Sequence, residues 1–326
     1  MKGLAPINVV ARTLVVDATA AEVFDALRGR GVGCILLKGA TIGRWLYDDE
    51  PRRHNDCDVL VSPLDIRRAE AVLGQLGFHP AQAVVLPHDR PTNGRPWIKD
   101  GYPSIDLHGS VWGFGVDAQT AWRVLLGHTE SFELASCSVE ALVPAARALL
   151  VALHAVHHGP RWEKPLEDLV RAVTRLSEDI WRDATVLAQR LDATEAMGAG
   201  LRLVGPGADL ATRLGLPTCV SREVRLMAST APSQSVKVEW FAQLPGLRTK
   251  AAFLVGKVFP PVAFMRDWSP LARRGPVGLA AAYAWRFLWL ARVAPPAFRA
   301  WRRARRGSRV VAGCSARPAD KEVSIP

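Results

Sequence analysis

Short apolar runs and amphipathic segments alternate along the first part of the chain. Helical spacing of apolar residues predicts a helix over residues 18–30, which ends among glycines. Residues 32–39 and 57–61 are short apolar runs of the kind that form buried strands, and a third strand is predicted over 104–109. Between the second and third strands, Ser62 followed by a proline is typical of a helix start. This alternation predicts a small mixed sheet flanked by helices.

From about residue 138 the pattern becomes almost entirely helical. Residues 278–294 form an apolar stretch with Arg286 in its middle. Only about eight residues precede that charge, which is too few to cross a bilayer. We therefore expect a buried or surface-lying helix there and no transmembrane span. From Pro295 onward the chain becomes rich in arginine and then polar.

Length and composition allow more than one folding unit. The chain has 326 residues, of which 49% are hydrophobic, so it can bury sizeable cores. We predict an α+β protein with a sheet domain over residues 1–137 and a mainly helical domain over 138–295. Residues 296–326 are predicted to form a basic, disordered tail.

The net charge of +11 is concentrated at one end of the chain. Residues 1–137 hold 14 Lys and Arg against 16 Asp and Glu, and residues 138–245 hold 12 of each kind. The last 81 residues hold 16 against 3. The near-neutral charge of the first two segments does not favour a polyanionic partner there. Basicity is instead a property of the C-terminal segment.

The arginines of this segment are spaced so that a helix would carry them on about half of its circumference. Such a surface suits salt-sensitive contact with nucleic acid or lipid, although a solvated tail fits the same pattern. The arginines concerned are Arg299, Arg302, Arg303, Arg305 and Arg306.

Cysteine usage and the N-terminal residues indicate a cytoplasmic protein. Five scattered cysteines include no C-x-x-C pair, which is typical of reduced thiols. The first residues lack a charged start followed by a long apolar core, so we expect no signal peptide.

Carboxylates stand on two of the predicted strands. Asp56 and Asp58 are two residues apart on one strand, so both carboxylates face the same way. Asp106 lies at the centre of a neighbouring strand. Three such carboxylates can hold two divalent cations, and their hard oxygen ligands favour Mg²⁺ or Mn²⁺ over zinc. Without a cation their repulsion should raise the pKa of at least one carboxyl. The simpler interpretation is that Asp56 and Asp58 cap the strand and face water.

A glycine turn follows the first predicted strand. Gly39, flanked by Lys38 and Ala40, stands where a strand runs into a helix. A glycine at such a turn lets backbone N–H groups approach a phosphate, and the helix N-terminus adds partial positive charge.

The glycine turn, the strand with Asp56 and Asp58 and the strand with Asp106, in this order along the chain, resemble the nucleotidyltransferases of the DNA polymerase β superfamily. They are most similar to the branch of uncharacterised nucleotidyltransferases, which has a K-G-A turn, an Arg shortly before D-x-D and a later D-L-H. The matching residues are Lys38-Gly39-Ala40, Arg53, Asp56 and Asp58, and Asp106-Leu107-His108. A His-rich helical segment over residues 149–173 extends the likeness, which covers roughly residues 25–175.

The resemblance implies transfer of a nucleoside monophosphate from an NTP, with ATP one candidate donor, to an acceptor, while pyrophosphate leaves. It implies that Asp56 and Asp58 bind Mg²⁺ or Mn²⁺ and that Asp106 completes the metal set and helps to activate the acceptor. The acceptor is a hydroxyl or similar group on a small molecule, a peptide or a protein. The broader superfamily has Gly-Ser where this chain has Gly39-Ala40. The adjacent Thr41 offers a hydroxyl instead, so Lys38, Gly39, Ala40, Thr41 and Arg53 are the candidate nucleotide contacts.

Each of these residues also has a structural interpretation. Lys38 is then a solvated lysine, Arg53 an ion-pair partner of the aspartates, and Asp106 a strand-end cap. His108 shares a face with Asp106 and is a candidate for a place near the acceptor.

A histidine-rich segment raises a separate question. His154 and His158 have the i, i+4 spacing of a metal site, but no further ligand cluster follows. A hinge or a pocket wall on the sheet therefore suits these two residues and His157 better than zinc. Arg161, Asp168 and Arg171 are predicted to be structural ion-pair partners, with acceptor contact as the alternative.

A stripe of apolar residues on the same helix is predicted to be buried against the sheet: Leu149, Leu150, Leu153 and Val156. The C-terminal tryptophans are predicted to lie mostly in the core: Trp240, Trp268, Trp285 and Trp289.

A second class of function also fits the sequence. The protein could be a non-catalytic, nucleotide-binding adaptor whose basic C-terminus contacts nucleic acid, membrane or a partner. Release of pyrophosphate from an NTP distinguishes the enzyme from the adaptor.

Overall fold

The computed structural model describes residues 6–47, 52, 54–82, 86, 94–135 and 137–311. Its first part alternates strands with helices. The helices are α1 (Pro6–Gly29), α2 (Ala40–Leu46), α3 (Ile66–Gln75) and α4 (Ala118–Leu126). The strands are β1 (Cys34–Leu36), β2 (Asp56–Val61), β3 (His79–Pro80), β4 (Gly94–Ile98), β5 (Ser104–His108), β6 (Thr129–Leu134) and β7 (Cys137–Leu142).

These strands form one mixed sheet in the order β3-β4-β5-β2-β1-β7-β6. Strand β2 runs antiparallel to β1 and parallel to β5, and β1 runs parallel to β7. The parallel pairing sets Asp58 directly beside Asp106, and Leu60 beside His108. The three predicted strands that carry polar groups are therefore neighbours in space, and the predicted α+β class is confirmed.

The two faces of the sheet pack against different helices. Val59 and Val61 of β2 belong to a core with residues of α1 and α3, whereas Leu60 belongs to the core on the opposite face. Because side chains alternate along a strand, Asp58 shares the face of Leu60. That second face is covered mainly by the first helix of the following segment. The sheet therefore directs its acidic residues towards a helix rather than into solvent.

The rest of the chain is helical. It comprises α5 (Pro144–His158), α6 (Glu163–Arg175), α7 (Glu178–Arg190), α8 (Thr194–Leu201), α9 (Gly205–Arg213), α10 (Arg222–Met227), α11 (Gln234–Gln243), α12 (Gly246–Val258), α13 (Val262–Trp268), a 3₁₀ turn (Pro270–Arg273) and α14 (Gly275–Val311). The predicted apolar stripe of α5, from Leu149 to Val156, is buried as expected.

Several predicted boundaries differ from the structure. The expected division at residue 137 falls at the start of β7, which pairs with β6 and β1, so the sheet continues to Leu142. Helix α3 begins later than predicted because the hydroxyl of Ser62 accepts a bond from the N–H of Leu64 in a turn, and Asp65 occupies the N-cap position. The division into domains stays a prediction.

The expected disordered tail is helical over residues 296–311. Helix α14 runs through Pro295 and Pro296 without a break. Its continuation is held by Trp301, which is 8% exposed and donates an indole N–H to Glu239 at 2.6 Å. Tertiary contact here outweighs the local preference of proline to end a helix.

The C-terminal tryptophans are less buried than predicted. Trp285 is 57% exposed, and Trp240, Trp268 and Trp289 are half-buried. Among the described residues, no helix combines the length and the apolar character that crossing a membrane requires.

Candidate active site

Two carboxylates lie side by side at the centre of the sheet. Asp58 on β2 and Asp106 on β5 are paired residues of adjacent parallel strands, and both face α5. Asp58 is 5% exposed, and Asp106 is half-buried. This burial does not fit a role for Asp58 as a strand cap that faces water.

The negative charge of Asp58 is stabilised by two neighbouring side chains. Its Oδ1 lies 3.0 Å from the ammonium of Lys38, the second residue beyond β1, and 3.0 Å from Nε2 of His108. Burial alone would raise the pKa of Asp58, but Lys38 and the bond from His108 hold that pKa well below its usual value. Asp58 is therefore an anion in the folded protein.

Asp106 behaves in the opposite way. Burial raises the pKa of Asp106 to about 6, and repulsion from Asp58 and Asp56 acts in the same direction. The sequence predicted a raised pKa for at least one of the closely spaced carboxyls, and the rise occurs at Asp106 and not at Asp58. Its largest cause is burial, which the sequence pattern did not indicate.

The residues that lie closest together differ from the predicted metal set. One ligand atom from each of Asp58, Asp106 and His108 lies within 4.8 Å of the other two. Asp56 is half-buried at the start of β2 and lies outside this group. Two carboxylates and an imidazole fit a divalent cation, and Nδ1 of His108 is buried without a hydrogen-bond partner. The i, i+2 spacing of Asp106 and His108 was the signal that could have identified His108.

The glycine turn has the predicted position, and the residues that follow it are buried. Gly39 has a φ of 77°, in the left-handed region that favours glycine, and precedes α2. Thr41 is fully buried and Ala40 nearly so, while Lys38 points towards Asp58. Their roles in nucleotide binding stay predictions. Arg53 lies outside the described residues.

A cavity of about 220 Å³ opens above the two carboxylates. We call it the site cavity. Its floor includes Lys38, Asp58, Asp106 and His108, and its opposite wall is α5. That wall contributes Leu150, Leu153, His154, His157 and His158. The histidine-rich segment is thus a pocket wall, as one of the two favoured interpretations predicted.

The histidines of α5 form a ring cluster. The rings of His154 and His158 lie 4.5 Å apart, and His157 packs on Trp112 with 5.3 Å between ring centroids. Burial lowers the pKa of all three imidazoles, to about 4 for His157, and the charge of Lys38 lowers those of His154 and His158 further. They are therefore neutral at pH 7. Within the described residues, they do not group with carboxylates or thiols as a metal site.

The sequence model of a protein family described as "Uncharacterised nucleotidyltransferase" matches residues 7–205. This range covers more than half of the chain and includes the whole sheet and the histidine wall. The chain belongs to this nucleotidyltransferase family. No curated protein sequence matches the chain.

Three solved structures match about half of this nucleotidyltransferase with low sequence identity. ANT(2″)-Ia in complex with adenylyl-2″-tobramycin is 17% identical, with 53% of this chain and 97% of that chain covered and a TM-score of 0.39. The lincosamide antibiotic adenylyltransferase LnuA, bound to lincomycin, is 12% identical, with coverage of 46% and 92% and a TM-score of 0.33. An antigenic nucleotidyltransferase-like protein from Paracoccidioides brasiliensis is 13% identical, with coverage of 56% and 91% and a TM-score of 0.33.

A buried ion pair connects the segment that precedes β2 in the nucleotidyltransferase site to the helical segment. Asp168 on α6 accepts bonds from Nε and an Nη of Arg52 at 2.8 and 2.6 Å, and from the hydroxyl of Tyr47 at 2.7 Å. The side chains of Arg52 and Asp168 are 5% and 3% exposed. Asp168 is thus the structural ion-pair partner that we predicted. Its partner was not predicted, because 116 residues separate the two.

Of the other two residues predicted to form ion pairs, Arg171 does so, whereas the contact of Arg161 is with a backbone carbonyl. Arg171 pairs with Glu167 at 3.0 Å, whereas Arg161 donates to the carbonyl of Thr230. Both contacts are exposed and lie away from the site cavity, whose wall includes neither arginine.

A larger cavity of about 610 Å³ adjoins the site cavity of the nucleotidyltransferase. Trp112 and His157 contribute to the walls of both. The lining of the larger cavity includes three carboxylates, Asp192, Glu195 and Glu223, and the indole N–H of Trp112 donates to Glu223 at 3.3 Å. The site therefore has an inner part beside the sheet and a wider outer part.

Proposed function

We propose that the protein transfers a nucleoside monophosphate from an NTP to a hydroxyl or similar group of an acceptor and depends on Mg²⁺ or Mn²⁺. The observation that carries the proposal is the grouping of Asp58, Asp106 and His108 beside Lys38 in one cavity. Membership of the nucleotidyltransferase family supports the reaction class. The donor nucleotide, the acceptor and the cation are parts of the proposal.

Asp58 and Asp106, with His108 or Asp56, are the residues that would hold the cation. When bound, a divalent cation neutralises phosphate charge and lowers the barrier to displacement at the α-phosphorus. Lys38 adds a positive charge beside the carboxylates, and we assign that charge to the phosphates of the donor.

In the proposed reaction the acceptor oxygen forms a bond to the α-phosphorus, and the bond to the β-phosphate oxygen breaks. Pyrophosphate leaves with the electron pair. The proton of the acceptor hydroxyl passes to the carboxylate of Asp106. In the cation-free site the pKa of Asp106 is raised to about 6, mainly by burial, so its carboxylate is mostly ionised at pH 7 and can accept a proton.

We assign the acceptor to the side of the site cavity that lies opposite the carboxylates. The histidines of α5 and Trp112 supply neutral, partly apolar surface opposite the carboxylates. The site cavity is smaller than the roughly 300–1,000 Å³ of common ligand pockets, so we place part of the bound substrates in the larger cavity. The carboxylates of the larger cavity disfavour a polyanionic acceptor, which leaves a small molecule, a peptide or a protein hydroxyl.

The test combines binding and turnover. Thermal melts with each NTP, with and without Mg²⁺ or Mn²⁺, measure cation-dependent binding without knowledge of the acceptor. Asp58→Asn and Asp106→Asn should abolish the cation-dependent rise in melting temperature and the release of pyrophosphate. Asp100→Asn, an equal change on an exposed loop, should leave both unchanged.

Two results would contradict the proposal. A cation-dependent shift that persists undiminished in both site variants excludes the metal assignment. Binding of an NTP without pyrophosphate release in cell extracts that supply acceptors would favour the non-catalytic adaptor. A cytoplasmic location is also part of the proposal and rests on the scattered cysteines.

A further inference from the structure

Large apolar side chains are exposed together on the C-terminal helices, beyond the residues that the family model matches. Phe259, which follows α12, is 61% exposed, and Phe287 on α14 is 46% exposed, yet their rings lie only 5.5 Å apart. Trp285 and Leu288 are 57% and 65% exposed on the same stretch of α14. Exposed apolar residues that lie together, unlike ones scattered singly, mark an interaction surface.

The buried side chain of Arg286 connects the helices that carry these exposed residues. Arg286 is 4% exposed and donates two hydrogen bonds to the carbonyl of Lys257, at 2.9 and 3.0 Å. Its guanidinium also lies 5.1 Å from the ring centres of Phe264 and Trp268. The contacts join α12, α13 and α14, so the exposed apolar residues lie on a packed unit and not on a loose end.

One face of α14 changes from apolar to basic along its length. Val277, Leu288 and Pro295 are separated by 11 and 7 residues, which places them on one side of a helix. Arg299, Arg302 and Arg306 continue the same side and are exposed. The surface therefore joins an apolar area to a row of guanidinium groups.

The segment that carries this surface is strongly basic. Residues 246–311 contain fourteen Lys and Arg and a single acidic residue, Asp267. Such a charge attracts an anionic partner and repels a second copy of the same chain. A nucleic acid would satisfy the arginines but not the aliphatic side chains of Val277 and Leu288, which prefer an apolar environment. A lipid bilayer with anionic headgroups offers both.

We propose that helices α12 to α14 form a docking surface for the interface of an anionic lipid bilayer. The apolar residues enter the headgroup and acyl boundary, Trp285 lies at the interface, and the arginines contact lipid phosphates. The protein lies on the membrane and does not span it. This inference does not depend on the proposed reaction, because none of these residues lines the site cavity.

The experiment measures co-sedimentation of the full-length protein with vesicles. Vesicles of phosphatidylcholine alone are compared with vesicles that contain about 30% phosphatidylglycerol, a level at which anionic lipid attracts basic segments. We expect binding only to the anionic vesicles. The triple variant Arg299→Ala, Arg302→Ala, Arg306→Ala should lower the partition coefficient about 100-fold, or about five-fold for each arginine.

A matched variant controls for loss of total charge. Arg30→Ala, Arg67→Ala, Arg190→Ala removes three exposed arginines from other parts of the chain and should bind as the unmodified protein does.

The apolar contribution is tested in the same assay. Val277→Gln with Leu288→Gln should weaken vesicle binding at least about 10-fold, in low and in high salt. Leu64→Gln with Val186→Gln changes two residues that are 80% and 50% exposed elsewhere, and should have no effect.

Three outcomes would overturn the proposal. Equal binding to neutral and anionic vesicles, or to neither, excludes an anionic bilayer as the partner. Binding to duplex DNA that the glutamine variant leaves intact, without vesicle binding, assigns the surface to nucleic acid. A dimer in light scattering that the glutamine variant dissociates, again without vesicle binding, assigns it to a second copy of the chain.

Discussion

Replacing Asp168 with asparagine leaves the guanidinium of Arg52 buried without a counter-charge. The two side chains are almost fully buried, and Asp168 accepts three hydrogen bonds that its carboxylate charge strengthens. Loss of one partner of a buried pair costs about 3–5 kcal/mol, which is a large part of the roughly 5–15 kcal/mol that stabilises a typical domain. We therefore expect the free energy of unfolding of Asp168→Asn, measured by urea denaturation at neutral pH, to fall by about 3–5 kcal/mol.

Two comparisons separate this mechanism from a general effect of losing a charge. Asp179→Asn breaks an exposed pair with Arg182 on α7 and should cost no more than about 1 kcal/mol. Arg52→Met combined with Asp168→Leu removes both buried charges and should recover most of the stability that Asp168→Asn loses. If Asp168→Asn costs no more than Asp179→Asn, the burial argument for this pair is wrong.

Three further predictions concern the site and its wall. Leu153→Ala should destabilise the protein by about 2–5 kcal/mol, because Leu153 is 2% exposed, whereas Leu64→Ala at an exposed position should change the melting temperature little. Burial lowers the pKa of the His157 imidazole to about 4, so the unfolded chain binds a proton at this residue more readily than the folded protein does. His157 therefore stabilises the folded protein near pH 7, and about 2–3 kcal/mol of the free energy of unfolding is lost as the pH falls to about 4.5. A His157→Phe variant should lack that part of the acid destabilisation in denaturation curves. Pulsed EPR of bound Mn²⁺ should show a nitrogen hyperfine coupling that is lost in His108→Gln, and a spectrum without nitrogen coupling in the unmodified protein would exclude His108 as a ligand.

Local pattern was sufficient to predict the strands that carry the site. The apolar runs at β1, β2 and β5 are bounded by glycine and polar residues, and alternation along them fixes which side chains share a face. Asp58 and Asp106 could therefore be named as candidate ligands of one metal site, whereas their direct pairing between strands is seen only in the structure. The buried stripe of α5 and the position of its histidines on a pocket wall follow from the same periodicity.

Contacts between distant residues could not be predicted in this way. The bond from His108 to Asp58 spans 50 residues and the pair of Arg52 with Asp168 spans 116. Nothing in the local sequence of Arg52 indicates that it pairs with Asp168. The continuation of α14 past Pro296 likewise depends on Trp301 and Glu239, which are distant in sequence.

The order of strands in the sheet also constrains how the protein can be made. Strand β1 pairs with β7, and Leu36 meets Ala141 more than 100 residues later. A ribosome adding roughly 5–20 residues per second needs about 5–20 s to synthesise that interval, during which one edge of β1 has no partner. An open strand edge of this kind is a template for association with other chains. A fragment that ends at residue 137 would keep that edge open permanently, so expression of the sheet region alone should yield aggregates unless β7 is included.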